Sequence, residues 1–574
     1  MVDAPNINLA WTMLAAEECS RLGVQHAVIC PGSRSAPLTV AFARHGRIKI
    51  HIAHDERGAA FMALGIAKSS GVPAVLVMTS GTAVANALPA VVEARLTRTP
   101  MLVFAADRPP ELRDCGANQA IAQAQLLDSA ARWSFDLPCP STEIPAEFVL
   151  STVDEAFARA CGHGGAQGGA VHLNWQFREP LAPDARAWDV GWLWSIVRWT
   201  KGSAPWRMAM APLANAVDID GALVIAGRCD PVATRSLAKW RGTLLADISS
   251  GLARAGTVGA DMVLRAALEG ELRNPMRASN MQLRAALRPD ALAIVGDALL
   301  SKRLNAWIAQ QQCGVTLFGA GDPRIDPSHR ADAVYAGSVE FSAAKGLKPH
   351  AGWKRALACA TGAAIKAIEA ERVLCEPTAI SDATAACAAL DQGTIFYGSS
   401  MPIRDADFLA LHAPNGWKTA ANRGASGIDG LIASATGHAI ATSKPVLAFV
   451  GDVSALHDLN SLQLAAQVET PLVIVVLNND GGGIFRYLPI AKHDDVFERC
   501  FTTPHGRVFA PMAKAFAIAS ESPTTRAAIS KSVAKALKRG GATLIEVVCT
   551  SEASEAARTR VSMSAVDALA REFR

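Results

Sequence analysis

Two segments share one pattern, an apolar run that passes directly into glycine and polar residues: Val446-Leu-Ala-Phe-Val-Gly-Asp-Val-Ser454 and Pro471-Leu-Val-Ile-Val-Val-Leu-Asn-Asn-Asp-Gly-Gly-Gly483. Such runs are typical of strands that are buried on both faces of a parallel sheet. Open α/β sheets bind their ligands at the carboxyl ends of the strands. The sequence therefore predicts that Asp452 and Asn479, which follow the two runs, meet at one edge of a sheet.

The same alternation of apolar runs and helical patterns occupies the first 110 residues. Strands are expected at His26–Cys30, Ile48–Ile52, Ala74–Met78 and Met101–Ala105. Helices are expected at Asn6–Gly23, Pro37–His45, Glu56–Ser70 and Thr82–Leu96. Strands that alternate with helices indicate βαβ units. We therefore predict an α/β protein in which each domain is a mainly parallel sheet flanked by helices.

The length of 574 residues fits three such domains, at 1–185, 195–360 and 370–574. The stretch Pro180–Pro205, rich in proline and tryptophan, is interpreted as the first linker, and the second boundary is placed between Ala343 and Pro377. Half of the residues are hydrophobic and 19% are charged, which excludes a mostly disordered chain. The net charge of +4 gives no reason to expect nucleic acid or an anionic membrane as a partner.

Several features favour a cytoplasmic protein. Asp3, Glu17 and Glu18 interrupt any run that resembles a signal peptide. The longest uncharged stretch, 69–92, contains Pro73 and Pro89 and is better explained by a strand, a turn and a helix than by a membrane span. The twelve cysteines include no CxxC pair, which indicates reduced thiols in a cytosol-like compartment.

The residues after the two apolar runs suit a metal-bound diphosphate. The oxygens of Asp452 and Asn479, with a backbone carbonyl such as that of Gly481, are ligands that Mg²⁺ or Mn²⁺ accepts. The glycines allow close backbone approach and supply N–H donors to phosphate oxygens. Alone, a Gly-Asp after a strand is usually a plain turn. Together the two segments resemble the thiamin-diphosphate signature, although Val453 stands where glycine is common.

A candidate for the proton relay of such an enzyme is Glu56, in the segment His54-Asp-Glu-Arg-Gly58. By itself, Glu56 could be an acid in the first turn of a helix, where it complements the helix dipole. A thiamin enzyme, however, requires a glutamate that hydrogen-bonds to the aminopyrimidine ring of the cofactor and relays a proton through it. Beside the 451–483 block, Glu56 becomes the clear candidate, whereas His54 is interpreted as structural.

Longer motifs, spread over nearly the whole chain, carry a more specific resemblance. They are Cys30-Pro-Gly-Ser-Arg-Ser-Ala-Pro37, Asp55-Glu-Arg-Gly58, Thr79-Ser-Gly-Thr-Ala-Val-Ala-Asn86, Ala106-Asp-Arg-Pro-Pro-Glu-Leu112, Cys115-Gly-Ala-Asn-Gln-Ala120, Asn422-Arg-Gly-Ala-Ser-Gly-Ile-Asp-Gly430 and Gly451-Asp-Val-Ser-Ala-Leu-His-Asp-Leu-Asn460. The chain resembles the 2-succinyl-5-enolpyruvyl-6-hydroxy-3-cyclohexene-1-carboxylate synthase family, whose reaction belongs to menaquinone and phylloquinone biosynthesis. The resemblance implies decarboxylation of 2-oxoglutarate and conjugate addition of the resulting carbanion to isochorismate, with thiamin diphosphate and Mg²⁺ (or Mn²⁺).

The resemblance also implies roles for individual residues. Catalytic roles fall to Glu56, Ser400 and Arg404. Substrate-binding roles fall to Ser33, Arg34, Asn118, Gln119, Lys302, Arg303, Arg423, Ile484, Phe485 and Leu488. Cofactor-binding roles fall to Glu56, Ile428, Asp452, Val453, Ser454, Asn479, Gly481 and Gly482, of which Asp452, Asn479 and the Gly481 carbonyl hold the metal. Each substrate carries two carboxylates, so several arginines or lysines are expected to converge on them.

In the central region the resemblance rests on Ser301-Lys-Arg-Leu304 and Arg324-Ile-Asp-Pro-Ser-His329, and 296–300 departs from the family pattern. The resemblance further implies a homodimer or a dimer of dimers with active sites at the subunit interface. Three other readings stay open: another thiamin-diphosphate enzyme, such as a 2-oxoacid decarboxylase or acetolactate synthase; an inactive paralogue; and a nicotinamide-dependent protein. The last lacks a GxGxxG after the first strand.

Overall fold

The computed structural model of the chain describes residues 4–163, 167–207, 215–219, 221–269, 277–297, 299–319, 325–335, 337–342 and 350–574. Arg324 and Ala298, which belong to two of the segments discussed above, lie outside the described residues. The chain divides into two compact units. Unit 1 comprises Met1–Pro212, Asn422–Ser443 and His457–Thr470, and unit 2 comprises Leu213–Ala421, Lys444–Leu456 and Pro471–Arg574.

The strands and helices follow one another in chain order. The strands are β1 His26–Ile29, β2 Lys49–Ile52, β3 Ala74–Met78, β4 Met101–Asp107, β5 Trp133–Leu137, β6 Ala170–Gln176, β7 Asn215–Val217, β8 Leu223–Ala226, β9 Leu244–Ala246, β10 Ala291–Val295, β11 Gly314–Phe318, β12 Ala333–Tyr335, β13 Val339–Phe341, β14 Gly393–Tyr397, β15 Trp417–Ala420, β16 Val446–Gly451, β17 Leu472–Asn478, β18 Ala519–Glu521 and β19 Ala542–Val548. The helices are α1 Ile7–Arg21, α2 Ala36–Arg44, α3 Glu56–Ser70, α4 Thr82–Asn86, α5 Leu88–Thr97, α6 Ala146–Cys161, α7 Val197–Lys201, α8 Pro231–Ala238, α9 Ala260–Leu264, α10 Arg277–Ala286, α11 Lys302–Gln310, α12 Ala351–Ala370, α13 Glu376–Ala386, α14 Met401–Phe408, α15 Leu431–Thr442, α16 Asp452–His457, α17 Leu462–Ala465, α18 Asp494–Phe497, α19 Ala510–Ala515, α20 Arg526–Lys538 and α21 Ser551–Glu572.

Unit 1 is built on a six-stranded parallel sheet with the order β2-β1-β3-β4-β6-β5. Its central strands are fully buried, as the apolar runs predict. Helix α3 packs closely against α15: a Cβ at Gly65 would lie 2.2 Å from the Ser434 carbonyl oxygen, and one at Gly437 would lie 2.3 Å from that of Met62. Glycine is therefore required at both positions for the helices to approach this closely.

Unit 2 contains a six-stranded and a five-stranded parallel sheet. The six-stranded sheet has the order β15-β14-β16-β17-β19-β18, and the five-stranded sheet has the order β12-β11-β10-β8-β9. A separate pair joins β13 to β7. The parallel sheets and flanking helices confirm the predicted α/β class. None of the helices within the described ranges is long and apolar enough to cross a membrane.

Two segments differ from the sequence-based expectation. The single helix expected at Thr82–Leu96 is two helices that meet at Ala87, where Pro89 falls in the first turn of α5. The stretch interpreted as a linker contains a 3₁₀ helix at Val190–Ile196 followed by α7, and Trp192 and Trp199 are buried in the core of unit 1. Apolar burial thus holds much of this stretch against unit 1.

Candidate active site

The predicted acid Glu56 is the first residue of α3, directly after β2. Asp55 caps the helix, because its side chain accepts a hydrogen bond from the Arg57 N–H at 3.0 Å. Glu56 is half-buried. The pKa of the nearby Cys30 thiol is raised, first by the burial of Cys30 and then by the negative charge of Glu56. Since Cys30 follows β1, the Glu56 carboxylate lies at the carboxyl edge of the sheet.

The turn after β1 carries Arg34, which the sequence predicts to bind substrate. A Cβ at Gly32 would lie 2.3 Å from Thr79, so the turn packs tightly against the end of β3. Arg34 donates to the Phe177 carbonyl oxygen at 2.9 Å, and its side chain is only 12% exposed. Its Nε is buried and has no hydrogen-bond partner among the described residues. The Glu179 carboxylate lies 3.7 Å from this guanidinium, at ion-pair distance, and the unpaired Nε leaves room for a further carboxylate from a ligand.

Arg108 is a candidate site residue that the sequence reasoning missed. It follows β4, is 8% exposed and donates to the Ser80 hydroxyl. Burial and the nearby Arg34 guanidinium lower the pKa of Arg108. Two guanidinium groups held close together suit a dicarboxylate. The signal was available, since Arg108 follows a buried strand just as the Arg34 turn does.

Gln119 lies at the same edge of unit 1. It has a left-handed backbone (φ 57°), and its side-chain amide donates to the Ser80 carbonyl oxygen at 2.9 Å. The Gln123 side chain, nearby in sequence, accepts from the Gly81 N–H at 2.8 Å. Ser33 and Asn118 are both exposed beside these residues in sequence. The structure thus brings the turns that carry Ser33, Arg34, Asn118 and Gln119 to the strand ends of β1, β3 and β4.

The segment that carries Arg423 is fixed by three buried residues, Lys68, Glu93 and Asn422, here termed the Lys68 cluster. The Lys68 ammonium contacts Glu93 Oε1 at 2.9 Å and Asn422 Oδ1 at 2.7 Å. Glu93 also accepts the N–H groups of Gly424 at 3.0 Å and Ala425 at 2.8 Å.

Burial by itself would raise the pKa of Glu93, but Lys68 and the two backbone N–H groups hold it below its ordinary value. The Lys68 cluster therefore fixes the backbone on both sides of Arg423. Ile428, farther along the same segment, is half-buried ahead of α15.

In unit 2 the predicted metal ligands meet at the ends of β16 and β17. Asp452 is buried, and its Oδ2 accepts the Gly481 N–H at 2.8 Å and lies 3.2 Å from His505 Nε2. Burial raises the pKa of Asp452. The Asn479 side-chain amide donates to Glu376 Oε1 at 2.7 Å. The prediction that Asp452 and Asn479 lie at one edge is therefore confirmed.

The glycine loop beside these ligands is packed too closely for any side chain. Gly481 has φ 136°, and a Cβ there would lie 2.0 Å from the Thr502 carbonyl oxygen. A Cβ at Gly482 would lie 2.4 Å from that of Phe501. Asp480 accepts the N–H groups of His505 and Gly506 at 2.9 and 2.7 Å, which joins the loop to the 497–506 segment. Val453 is half-buried and Ser454 is buried after β16.

The donor set fits a hard divalent cation. The Asn479 Oδ1 atom is buried without a hydrogen-bond partner in the described part of the chain. A buried oxygen without a partner costs free energy unless a ligand satisfies it. No cluster of three or more His, Cys, Asp or Glu side chains among the described residues could hold a metal. A cation here would therefore depend on the mixed set of carboxylate, amide and backbone oxygens, which is the chemistry that Mg²⁺ and Mn²⁺ accept.

The remaining charged candidates of unit 2 lie on two helices that contact α9. Arg404 is on α14 and donates to the Ser400 carbonyl oxygen, while Ser400 has φ 73°. Arg303, on α11, pairs with Asp261 of α9 at 3.2 Å. Lys302 is exposed at the start of α11. Helix α9 therefore links the helix that carries Arg303 to the helix that carries Arg404.

The apolar candidates follow the glycine loop in a short helix, Gly483–Tyr487. Ile484 and Phe485 are half-buried, and the Phe485 ring packs edge-on against Phe501 at 5.5 Å. Leu488 is 39% exposed. These side chains form an apolar surface directly after the predicted metal ligands.

Comparison with known proteins adds to this geometry. Two family models match the chain, the thiamine pyrophosphate enzyme N-terminal TPP binding domain over residues 12–129 and the C-terminal TPP binding domain over residues 401–547. The chain is 38% identical to the 2-succinyl-5-enolpyruvyl-6-hydroxy-3-cyclohexene-1-carboxylate synthase of Salinibacter ruber, over 95% of each chain. The chain is also 39% identical to the protein of the same name from Rubrobacter xylanophilus, over 95% of this chain and 96% of the relative. It is 38% identical to that from Prosthecochloris aestuarii, over 99% of each.

Proposed function

The chain belongs to the family of 2-succinyl-5-enolpyruvyl-6-hydroxy-3-cyclohexene-1-carboxylate synthases, and we propose that the two sheet edges described above carry out that family's reaction. The protein is a thiamin-diphosphate-dependent transferase that decarboxylates 2-oxoglutarate and adds the remaining succinyl unit to isochorismate in menaquinone biosynthesis. When bound, thiamin diphosphate supplies the nucleophilic carbon and the electron sink of the decarboxylation. The protein supplies binding, orientation and proton transfer.

Glu56 is the proposed proton-transfer residue. It is the first residue of α3, and the Asp55 cap fixes the backbone of this turn at the end of β2. We assign it the hydrogen bond to the aminopyrimidine ring, through which a proton is held and released. Ile428 is proposed to support the cofactor in its bound shape.

Mg²⁺ or Mn²⁺ is proposed to be held by Asp452, Asn479 and the Gly481 carbonyl oxygen. The observation that carries this assignment is the buried Asn479 Oδ1, which has no hydrogen-bond partner among the described residues and follows the strand next to that of the buried Asp452. Val453, Ser454 and Gly482 are proposed to contact the diphosphate, since the glycine loop leaves backbone groups close to the metal ligands.

The substrates are dianions, and the cationic residues of both units are proposed to recognise them. Arg34 and Arg108 lie together in unit 1, while Arg423 is held by the Lys68 cluster. In unit 2, Ser400 and Arg404 are proposed to act on the reacting groups, with Lys302 and Arg303 as further carboxylate contacts. Gln119, Ser33 and Asn118 are proposed to add polar contacts, and Ile484, Phe485 and Leu488 an apolar wall for the isochorismate ring.

Three further expectations stay proposals. We expect a homodimer or a dimer of dimers with active sites at the subunit interface, because symmetric assembly is usual for such enzymes. We expect the protein in the cytoplasm. We also expect three domains with boundaries at 1–185, 195–360 and 370–574.

A paired assay tests the proposed function. Purified protein is mixed with thiamin diphosphate, Mg²⁺ and 2-oxoglutarate, with and without isochorismate, and CO₂ release and isochorismate loss are followed. Isochorismate loss that requires both 2-oxoglutarate and the cofactor is the expected result. Turnover of pyruvate in its place would assign the protein to another thiamin-diphosphate activity. Tight cofactor binding without turnover would identify an inactive paralogue.

A further inference from the structure

Four residues of unit 2 form a polar cluster, here termed the Arg558 cluster: the buried Glu376 and Asp405, the largely buried Arg558, and Tyr487, which is 45% exposed. Arg558, on α21, donates to both Asp405 oxygens at 2.6 Å and to the Tyr487 hydroxyl at 2.6 Å. It also donates to Glu376 Oε2. Glu376 and Asp405 are 3% and 1% exposed, and the Arg558 side chain is 11% exposed. One guanidinium therefore joins three separate segments of the chain.

The charges in this cluster make Arg558 indispensable to its arrangement. Two buried carboxylates share one buried cation, and the planar fork of an arginine can serve both at once. Burial by itself would lower the pKa of Arg558. The charges of Asp405 and Glu376, together with the hydrogen bonds to Asp405, raise it well above its ordinary value. Without Arg558, Glu376 and Asp405 would face one another as unneutralised buried acids, so at least one of them would have to move or bind a proton.

Glu376 determines which way the Asn479 amide points. Its Oε1 can only accept from the NH₂ group of Asn479, at 2.7 Å, while its Oε2 accepts from Arg558. The amide oxygen of Asn479 is thereby turned to the opposite side, where it is buried and no residue of the described ranges hydrogen-bonds to it. The proposed metal ligand is thus oriented by a carboxylate that Arg558 in turn fixes.

The same guanidinium reaches the proposed substrate-binding segments. Asp405 is the neighbour of Arg404 on α14, and Tyr487 is the neighbour of Leu488. The two oxygens of Asp405 are both occupied by Arg558, which fixes the rotation of α14 at this point. A change at Arg558 would therefore reach Asn479, Arg404 and the apolar segment together.

We propose that Arg558 is a positioning residue for this reaction, which orients the metal ligand Asn479 through Glu376 and the substrate-binding helix α14 through Asp405. The inference rests on the proposed function, since it takes the metal and substrate roles of Asn479 and Arg404 from there. Residues that orient metal ligands typically change metal affinity or activity by about 10- to 100-fold when they are substituted.

The test measures Mn²⁺ binding directly, by electron paramagnetic resonance of free Mn²⁺ in the presence of thiamin diphosphate. We expect Arg558→Gln to weaken Mn²⁺ binding by about 10- to 100-fold and to raise the KM for 2-oxoglutarate. Arg558→Lys keeps the charge but cannot serve both carboxylates with a planar fork, so we expect it to recover part of the loss. Arg560→Gln is the matched control on the same helix, because Arg560 is 57% exposed and pairs with Glu371; it should behave as wild type.

Mn²⁺ affinity and KM that match wild type in folded Arg558→Gln, with only thermal stability reduced, would overturn the inference. Should Arg558→Gln not fold, Arg558→Lys decides the matter, and wild-type Mn²⁺ affinity and KM in that variant would equally overturn it. A wild-type protein that fails to bind Mn²⁺ with thiamin diphosphate would overturn the proposed metal site and the inference with it. If Arg558→Gln and Arg558→Lys bind Mn²⁺ as tightly as wild type does, the inference is overturned and the proposed metal site still stands.

Discussion

The six-stranded sheets of the two units have the same strand order but carry different chemistry. When the strands of each sheet are numbered from its own start, both read 2-1-3-4-6-5, and all are parallel. In unit 1 the second strand leads to Glu56, and the first and fourth strands lead to Arg34 and Arg108. In unit 2 the third and fourth strands lead to Asp452 and Asn479. The scaffold is therefore repeated, while the turns after its strands differ.

The two edges differ in charge, and this difference supports the different binding roles proposed for them. The edge of unit 1 places Arg34 and Arg108 together, which favours carboxylate ligands. In unit 2 the buried acid Asp452 accepts the Gly481 N–H and the buried acid Glu376 accepts from Asn479, while Arg558 neutralises part of the charge of Glu376 and Asp405. Such an edge favours a cation. One topology thus carries two different charge patterns, because residues outside the strands set the electrostatics.

The largest expected effect comes from Glu56 in unit 1. Glu56→Gln removes the ionisable group and keeps the shape of the side chain, so we expect turnover to fall by about 1,000-fold while thiamin diphosphate still binds. Isochorismate loss and a cofactor titration measure the two quantities separately. The control is His54→Asn, in the same turn, where His54 contacts Gln463 at the surface. Near-normal turnover of Glu56→Gln would refute the relay role.

The second prediction concerns the acid edge of unit 2. Asp452→Asn should weaken Mn²⁺ binding at least about 100-fold, since a carboxylate ligand becomes a neutral amide. The two Asp452 oxygens accept the N–H groups of Val453 and Gly481, so the variant amide must turn a donor toward one of them, and thermal stability without metal should also fall. Asp480→Asn is the control in the same loop and should keep wild-type Mn²⁺ affinity. Retention of tight Mn²⁺ binding by Asp452→Asn would exclude this metal site.

The third prediction tests how unit 1 holds its substrate segment. Glu93→Gln leaves the Lys68 ammonium buried without its counter-charge, which should lower the unfolding free energy by about 3 kcal/mol. Because Glu93 also accepts the Gly424 and Ala425 N–H groups, Arg423 should be less well placed, and the KM for 2-oxoglutarate should rise by about tenfold.

The pH dependence of this pair has a definite sign. The pKa of Glu93 is lowered in the folded protein, so its stabilising contribution is present above about pH 4, the ordinary value of a glutamate, and is lost as the pH falls below it. Denaturant unfolding at pH 7 and pH 3 should therefore show a smaller gap between wild type and Glu93→Gln at the lower pH. Glu155→Gln, which breaks the exposed pair with Arg159, should cost less than about 1 kcal/mol. An equal loss of unfolding free energy in Glu93→Gln and Glu155→Gln would contradict the role of burial.

Much of this architecture could be predicted from local sequence. The apolar runs before Asp452 and Asn479 form the strands expected of them, and the alternation in the first 110 residues gives the sheet of unit 1. These predictions succeeded because strands buried on both faces leave a continuous apolar signal. The prediction of one helix at 82–96 was wrong, because the alanine-rich pattern was followed through Pro89, which marks the start of a second helix after Ala87.

The supporting residues of the site could not be predicted in the same way. Glu376 and Asn479 are 103 residues apart, and Arg558 is 182 residues from Glu376. Likewise, Glu93 contacts Gly424 across 331 residues. No periodicity links such pairs, because tertiary packing alone brings them together. Arg108 is different, since it follows a buried strand and lies in a motif that was already distinctive.

The smallest expected effect concerns an acid of unit 1 that lies away from the proposed chemistry. Asp154, on α6, is 3% exposed, and burial together with the neighbouring Glu18 carboxylate raises its pKa. The folded protein therefore binds a proton here that the unfolded chain releases above about pH 4, so this group lowers stability progressively as the pH rises.

Asp154→Asn resembles the protonated form, and after allowance for solvent screening it should gain about 1 kcal/mol over wild type at pH 8 relative to pH 5. Denaturant unfolding at the two pH values measures this gain. Unchanged turnover is expected alongside it, because Asp154 is not among the residues proposed to hold the cofactor or the substrates. A gain that shrinks as the pH rises would show that Asp154 is ionised and favourably paired instead.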